Sequence, residues 1–241
     1  GVYGLLRFFT LMFNYEPAYT NTIILVLAGL TMFVGVLGAA AQKDFRTILT
    51  YHISSQVGYM IMGIGIFTVA SIAGTIFYIT HHIIVKSCLF LCGGLAEKLT
   101  GRQNIEEMGG LASVSPLGAI LFMLVALSLA GFPPLSGFCA KFLLVKAGFE
   151  AGGFLNYTIV AVSLVVSLLT LYSMMKIWQG AYWGKVKSLQ RVSYKGMIPS
   201  VIFLALLCLI MGLYPEPFIH LSTATAEQLM NPSIYISAVL G

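Results

Sequence analysis

Along this chain apolar residues gather into blocks of about twenty, long enough for a helix to cross a bilayer, and the charges lie mostly between the blocks. Thr22 to Ala41 contains no charge, and Thr47 to Ala70 opens with His52, Ser54, Ser55 and Gln56 before turning apolar. Ile72 to Ala96 holds His81, His82 and Lys86, and Leu111 to Ala130 is apolar. Leu155 to Ile177 ends near Lys176, with Trp178, Tyr182 and Trp183 as an interfacial belt, and Ile198 to Tyr214 stops at Pro215 and Pro217 before a polar tail. None of the blocks alternates residue by residue, so they predict helices and exclude barrel strands. Gly1 to Phe13, with Arg7 inside it, reads as the back half of another helix, followed by a polar turn from Asn14 to Asn21 that contains Glu16 and Pro17. Because Gly1 opens in mid-pattern, the sequence is expected to begin inside a longer polypeptide.

One further block is interrupted. Between Ala126 and Phe149 the helical pattern meets Gly131, Pro133, Pro134, Ser136 and Gly137 just before Lys141. Adjacent prolines remove two backbone donors and glycine eases departure from helical dihedrals, so the helix is expected to open between Gly131 and Gly137. Freed backbone groups in a bilayer need protein or water partners, and transporters use such breaks to build ion sites.

Composition places the whole chain in the membrane. Hydrophobic residues make up 59% and charged residues 9% of the 241 residues, against about 25% charged in soluble domains, and mean hydropathy is +0.93. An all-α polytopic membrane protein follows, with about seven transmembrane helices plus a partial one. The net charge of +5 sits mostly in loops, where it serves as an orientation signal and implies no nucleic acid. By that signal the loop Gly184 to Gly196, with Lys185, Lys187, Arg191 and Lys195, is expected in the cytoplasm, and the acidic loop Glu97 to Gly110 and the tail on the opposite face. Cys88 and Cys92 lie one turn apart in an apolar run and Cys139 and Cys208 stand alone, which reads as packing. No glycine-rich phosphate loop, zinc spacing or nucleophile triad occurs, so no cofactor, metal or enzymatic site is expected.

The candidate chemistry lies in three residues. His82 and Lys86 are four apart and share one helix face, the spacing of a proton relay. Lys86 is near the middle of its block, where a lysine cannot snorkel to the surface. No Asp or Glu lies between Phe45 and Ala96 or between Met108 and Phe149, so neither Lys86 nor Lys141 finds a counter-charge on its own helix. A charge at that depth costs roughly 2.5 to 3.5 kcal/mol, so each lysine must be hydrated, paired elsewhere, or able to release its proton. His52, His81 and Ser55 are candidates for lining a water path, Lys146 reads as a snorkelling residue, and Tyr51 and Tyr59 read as packing.

DFRTILTYHISSQVGYMIMGIGIF (Asp44 to Phe67), FYITHHIIVKSCLFLCGGLAEKLTG (Phe77 to Gly101), MGGL (Met108 to Leu111) and LAGFPPLSGFCAKFLL (Leu129 to Leu144) resemble the proton-conducting membrane transporter family. That family joins the antiporter-like subunits of respiratory complex I, membrane-bound hydrogenases and Mrp-type cation/proton antiporters, and the Mrp-type members are the most similar. The resemblance implies the C-terminal half of a 14-helix inverted-repeat fold. It divides the chain into 1–21 (end of a broken helix and loop), 22–46 (helix and loop), 47–178 (a five-helix repeat with the broken helix at 131–149) and 179–241 (basic loop, last helix and tail). It implies a proton relay at His82, Lys86 and Lys141, other membrane subunits of a hetero-oligomeric complex as partners, exchange of protons for Na⁺ (or K⁺), and a prokaryotic plasma membrane. The glutamate and broken-helix lysine of the family's first repeat would fall upstream of Gly1. Arg46 is followed by Thr47 where the family often has Lys-Arg, so no proton role is carried to it.

Overall fold

The computed structural model describes residues 1–12, 17–190, 192–233, 236 and 237; of the turn expected from Asn14 to Asn21, residues 14–16 lie outside the described residues, as does Arg191, and 17–21 form the start of a helix instead, opened by a proline at its first position. The described residues form helices and no strand: α1 (Val2–Leu11), α2 (Pro17–Ala41), α3 (Phe45–Ile66), α4 (Val69–Thr100), the short α5 (Ile105–Met108) and α6 (Leu111–Val114), α7 (Pro116–Ala130), α8 (Ser136–Ala151), α9 (Phe154–Ile177), a π turn (Trp178–Tyr182), α10 (Ile198–Leu213) and α11 (Glu216–Leu229). Among the described residues three helices are long and apolar enough to cross a bilayer alone, Tyr19–Ala41, Val69–Thr100 and Phe154–Tyr182. The helix α3 has the length but opens polar.

At 32 residues α4 is the axis of the bundle, and α3, α7, α8, α10 and α11 all pack on it. A reciprocal cap starts it: the Ser71 amide donates to the Thr68 hydroxyl oxygen at 3.1 Å, and the Thr68 amide donates to Ser71 Oγ at 2.9 Å. The exposed large side chains of α2, among them Val26, Leu30, Phe33 and Leu37, recur at helical spacing on one outward stripe, and Leu164, Leu168 and Tyr172 do the same on α9.

The structure corrects the expected path of the chain. The basic loop does not face away from the acidic one but packs against it: Lys187 Nζ donates to the Glu106 carbonyl at 2.6 Å, Gln190 N to the Leu99 carbonyl at 2.7 Å, and Ser188 Oγ to the Thr100 carbonyl at 2.7 Å. The connection at Lys43 to Arg46 joins them through ion pairs Lys43–Glu106 (3.0 Å) and Arg46–Glu97 (2.6 Å). Both loops therefore lie on one face. Between them α9 makes one crossing, so α7 and α8 together make the other; the blocks ending at Ala130 and starting at Phe132 are halves of one discontinuous span. Likewise α10 and α11, bent by 79°, follow one another where a polar tail was expected. The two prolines there begin a helix, because proline fits the first helical turn. Tyr182 is buried and stacked on Phe122 with centroids 4.6 Å apart, so it belongs to the core instead of the interfacial belt. Lys176, whose place beside the expected belt reads as an interfacial anchor, instead donates to the carbonyls of Ala40 and Gln42 and closes the end of α2.

Among the described residues a small apolar cluster gathers Leu6, Ile64, Ile72 and Ala226, and two larger cores divide the bundle. One, with Phe45, Leu89, Phe122 and Val201, lies toward the loops, and the other, with Met32, Tyr59, Leu144 and Val160, lies toward the opposite face. The buried polar residues His52, Gln56, His81, His82, Ser128 and Ser136 fall between them along α3, α4, α7 and α8.

Reporter cysteines at Arg102 and Ser188 are expected to react with a membrane-impermeant maleimide from the same side, and one at Glu227 from the other. Labelling of the first two from opposite sides would overturn the single crossing of α7 and α8.

Candidate functional site

The break is shorter than expected: α7 ends at Ala130, Gly131 takes φ +93°, and α8 begins at Ser136, which puts Gly137 inside the second half-helix. Several of its backbone groups find partners inside the protein, as burial in a bilayer favours. The Gly131 amide donates to the carbonyls of Leu127 (3.1 Å) and Ser128 (3.0 Å), the Phe132 amide to Leu127 (3.0 Å), and the Gly137 amide to Ser128 Oγ (3.3 Å). The Ala130 carbonyl, left open by the end of α7, accepts from Lys141 Nζ at 2.9 Å. Both glycines are dictated by space. A Cβ on Gly137 would stand 1.7 Å from the Ser128 carbonyl oxygen, and one on Gly131 would stand 2.9 Å from Lys141 Cδ besides being strained by the positive φ.

Lys141 is 7% exposed, and besides Ala130 its amine donates to Ser167 Oγ of α9 at 2.8 Å and lies 4.9 Å from the ring centre of Tyr59 on α3. The Tyr59 hydroxyl donates to the Ser163 carbonyl and stands 3.0 Å from Ser167 Oγ. Lys86, 5% exposed, donates to the Leu49 carbonyl in α3 at 2.9 Å. Neither lysine has a carboxylate partner among the described residues, whose ion pairs Lys43–Glu106, Arg46–Glu97, Arg102–Glu107 and Lys146–Glu150 are at the surface.

The histidines divide between the lysines. His82, one turn from Lys86 as the spacing predicts, is an electrostatic neighbour of Lys86, and its Nε2 has no protein partner. His81 meets the break, with Nδ1 2.9 Å from Ser136 Oγ, its ring nearly perpendicular to that of Tyr78 (centroids 5.8 Å), and Lys141 as an electrostatic neighbour. Its Nε2 also has no protein partner. His52 is fully buried, hydrogen-bonded through Nε2 to Ser173 of α9, with both lysines as electrostatic neighbours and Nδ1 unpartnered. Ser55 turns away from the lysines, donating to the Met32 carbonyl of α2 at 3.0 Å. Ser136 joins Ser128 Oγ (3.2 Å) and Cys208 Sγ (3.2 Å), which ties the break to α10.

Sequence reasoning missed much of this polar layer. Tyr59 was assigned to packing, and Tyr78, which donates to Gln56 Oε1, was not singled out. The signal was present as spacing: His52, Gln56 and Tyr59 fall at i, i+4 and i+7 on α3, and Ser163, Ser167, Thr170 and Ser173 form a helical stripe on α9. Those two stripes face each other through the His52–Ser173 and Tyr59–Ser163 bonds.

Residues 1–170 match the family model described as NADH:quinone oxidoreductase/Mrp antiporter, TM. The chain belongs to this family. Among its relatives is a Na⁺/H⁺ antiporter subunit of Alkalihalophilus pseudofirmus, 50% identical over 243 residues that cover 100% of this chain and 49% of the relative. The Mrp complex of a Dietzia species superposes with a TM-score of 0.92 at 32% identity, over 100% of this chain and 53% of the matched one. Respiratory complex I of Thermus thermophilus superposes with a TM-score of 0.78 at 25% identity, over 89% of this chain and 46% of the matched one. The family's antiporter-like helical membrane fold is thus present, and the chain spans about half the length of the curated relative it matches.

Replacing Gly137 by Ala forces α7 and α8 apart at the Ser128 carbonyl. A loss of about 1 to 3 kcal/mol is expected, read as a lower unfolding midpoint of the detergent-solubilised protein; an unchanged midpoint would show that the two half-helices are not held at that contact.

Proposed function

We propose that this chain forms part of a proton-translocating subunit of a multisubunit monovalent cation (Na⁺)/proton antiporter, with protons passed through His82, Lys86 and Lys141. The carrying observation is the pair of lysines buried in a membrane bundle without a carboxylate, each within electrostatic reach of a buried imidazole. A lysine held only by neutral acceptors can exist as ammonium or amine, which a salt-bridged lysine does not do readily. The unpartnered nitrogens of His52, His81 and His82 are where bound water would complete the hydrogen bonding and link the groups, since buried polar atoms in folded proteins find a protein or water partner. Protons would then step from Lys86, whose amine reaches the first turns of α3, through His82 to Lys141 at the break. The stretch 47–178, expected as a five-helix repeat and built as four crossings (α3, α4, the broken α7–α8 and α9), would carry this route within its subunit, with other membrane subunits as partners.

Orientation follows from the shared loop face. It gathers Lys43, Arg46, Lys98, Arg102, Lys185 and Lys187, whereas the opposite face has Lys146 beside Glu150, so the positive-inside rule assigns the loop face to the cytoplasm of a prokaryotic plasma membrane. A second reading, a pumping subunit of a redox complex, draws on the likeness to complex I and uses the same residues. The higher identity to an antiporter subunit, 50% against 25%, favours exchange.

Sodium-driven proton movement in inverted vesicles containing the whole complex is expected to fall below about a tenth of wild type in Lys141→Ala and in Lys86→Ala, with subunit assembly retained, as loss of a required proton carrier gives 10²-fold or larger effects. Normal exchange in either variant would sink the relay. Proton pumping on addition of an electron donor, with no sodium-driven flux, would transfer the chain to the redox reading.

A further inference from the structure

The partners of Lys141 form a chain with a fixed direction. The Ser163 carbonyl can only accept, so the Tyr59 hydroxyl must donate to it. The Tyr59 oxygen is then free to accept from Ser167, 3.0 Å away, and Ser167 turns a lone pair to the Lys141 amine at 2.8 Å. Every hydrogen in this chain points away from the lysine. Each dipole therefore presents its negative end to the amine, and successive bonds polarise one another in the same sense. The Tyr59 ring face at 4.9 Å adds the attraction of its quadrupole, and the Ala130 carbonyl at 2.9 Å adds a second acceptor.

We propose that Ser167 and Tyr59 are positioning residues that hold Lys141 in its charged form at the helix break, in place of a carboxylate. The inference rests on the relay reading of Lys141 and names what sets its proton affinity. The groups around Lys141 are few: α3 contributes Tyr59 and, further off, His52; α4 contributes His81; α7 contributes the Ala130 carbonyl; and α9 contributes Ser167. None is an acid. Ser167 lies on the stripe of α9 hydroxyls, where Ser163, Thr170 and Ser173 each bind a backbone carbonyl of their own helix, Ser173 meeting His52 as well, whereas Ser167 bonds only across, to α3 and α8.

The test is the pH profile of sodium-driven proton movement by the complete complex at matched subunit levels. Ser167→Ala removes an acceptor for the ammonium at little cost in packing, so the midpoint is expected to move about one unit toward lower pH, the size of one hydrogen bond to a charged group. Tyr59→Phe keeps the ring and removes the hydroxyl that orders Ser167, so it should move the midpoint the same way by less. The double variant should not exceed Ser167→Ala alone, because both act through one chain. Ser167→Thr, which restores a hydroxyl, should return the profile to wild type; rescue of this kind separates a proton-affinity effect from loss of packing. An unshifted midpoint in Ser167→Ala, or additive shifts in the double variant, overturns the proposal. The relay reading is judged separately by Lys141→Ala: if that variant exchanges normally the reading itself has failed, and if it is inactive while Ser167→Ala is unshifted only the positioning role has.

Discussion

A primary amine buried where no carboxylate can reach it is the constraint around which this bundle is arranged. Lys141 has to find acceptors inside a helical membrane protein, and intact helices offer few, because their carbonyls are already engaged along the helix axis. The end of a helix is different, since its last carbonyls have no intrahelical donor. By stopping α7 at Ala130 in the middle of a crossing, the chain puts one such carbonyl at depth, 2.9 Å from the amine. Gly131 leaves room for the lysine stem, Gly137 lets the second half-helix approach the first, and α3 and α9 close the remaining sides with Tyr59 and Ser167. The short half-helices, 15 and 16 residues, follow from the same arrangement: neither spans a bilayer, and together they do.

Besides Lys187 at the surface, three lysines packed among the helices, Lys176, Lys86 and Lys141, bind backbone carbonyls, and the contrast among these three separates structural from mobile charge. Lys176 takes the carbonyls of Ala40 and Gln42 at the C-terminal end of α2, orphan acceptors at the negative pole of a helix, in a partly buried site. That is a stable cap. Lys86 instead takes the Leu49 carbonyl, which lies within α3 and also serves the helix, so the amine shares an acceptor and is held less firmly. Lys141 stands between the two cases, with an orphan carbonyl and a hydroxyl that can turn. The two lysines proposed to carry protons are thus the two whose surroundings favour the ammonium without locking it.

The sequence showed the helices and the broken one clearly, because uncharged blocks and a Gly-Pro-Pro cluster are local signals. The identity of Lys86 and Lys141 as buried charges was equally legible from their position and the lack of acids nearby. The path was not. Both loops lie on one face because Lys187, Ser188 and Gln190 bond to backbone carbonyls of the acidic segment, contacts across about 80 residues that charge counting cannot see. Counting two apolar blocks as two crossings failed for the same reason, since nothing in the composition of Leu111 to Ala130 says that its last turn stops in mid-membrane. The role of Tyr59 was hidden because a tyrosine within an apolar run packs more often than it bonds; only its register with His52 and Gln56, set against the α9 serines, marks it.

That register gives the polar groups a shared level. Above it the core around Phe122 and Leu89 joins α3, α4, α7 and α10, and below it the core around Tyr59 and Leu144 joins α2, α3, α4, α8 and α9. The helices that cross from one core to the other do so through His52 and Gln56 on α3, His81 and His82 on α4, and Ser128 and Ser136 at the break. Apolar packing fixes both flanks, so the layer between them keeps its geometry although several of its nitrogens have no protein partner. A polar layer of this kind lies across the helices instead of along any one of them, so the proposed movement of a proton within it would change charge at the break without requiring the cores to repack. The bond from Ser136 to Cys208 extends the layer to α10, whose own end is also at this level, where a Cβ on Gly212 would meet the backbone of Pro134 and Ser136. The break in α7–α8 and the bend in α10–α11 are therefore one packed feature, and a change in how Ser136 bonds is felt by both.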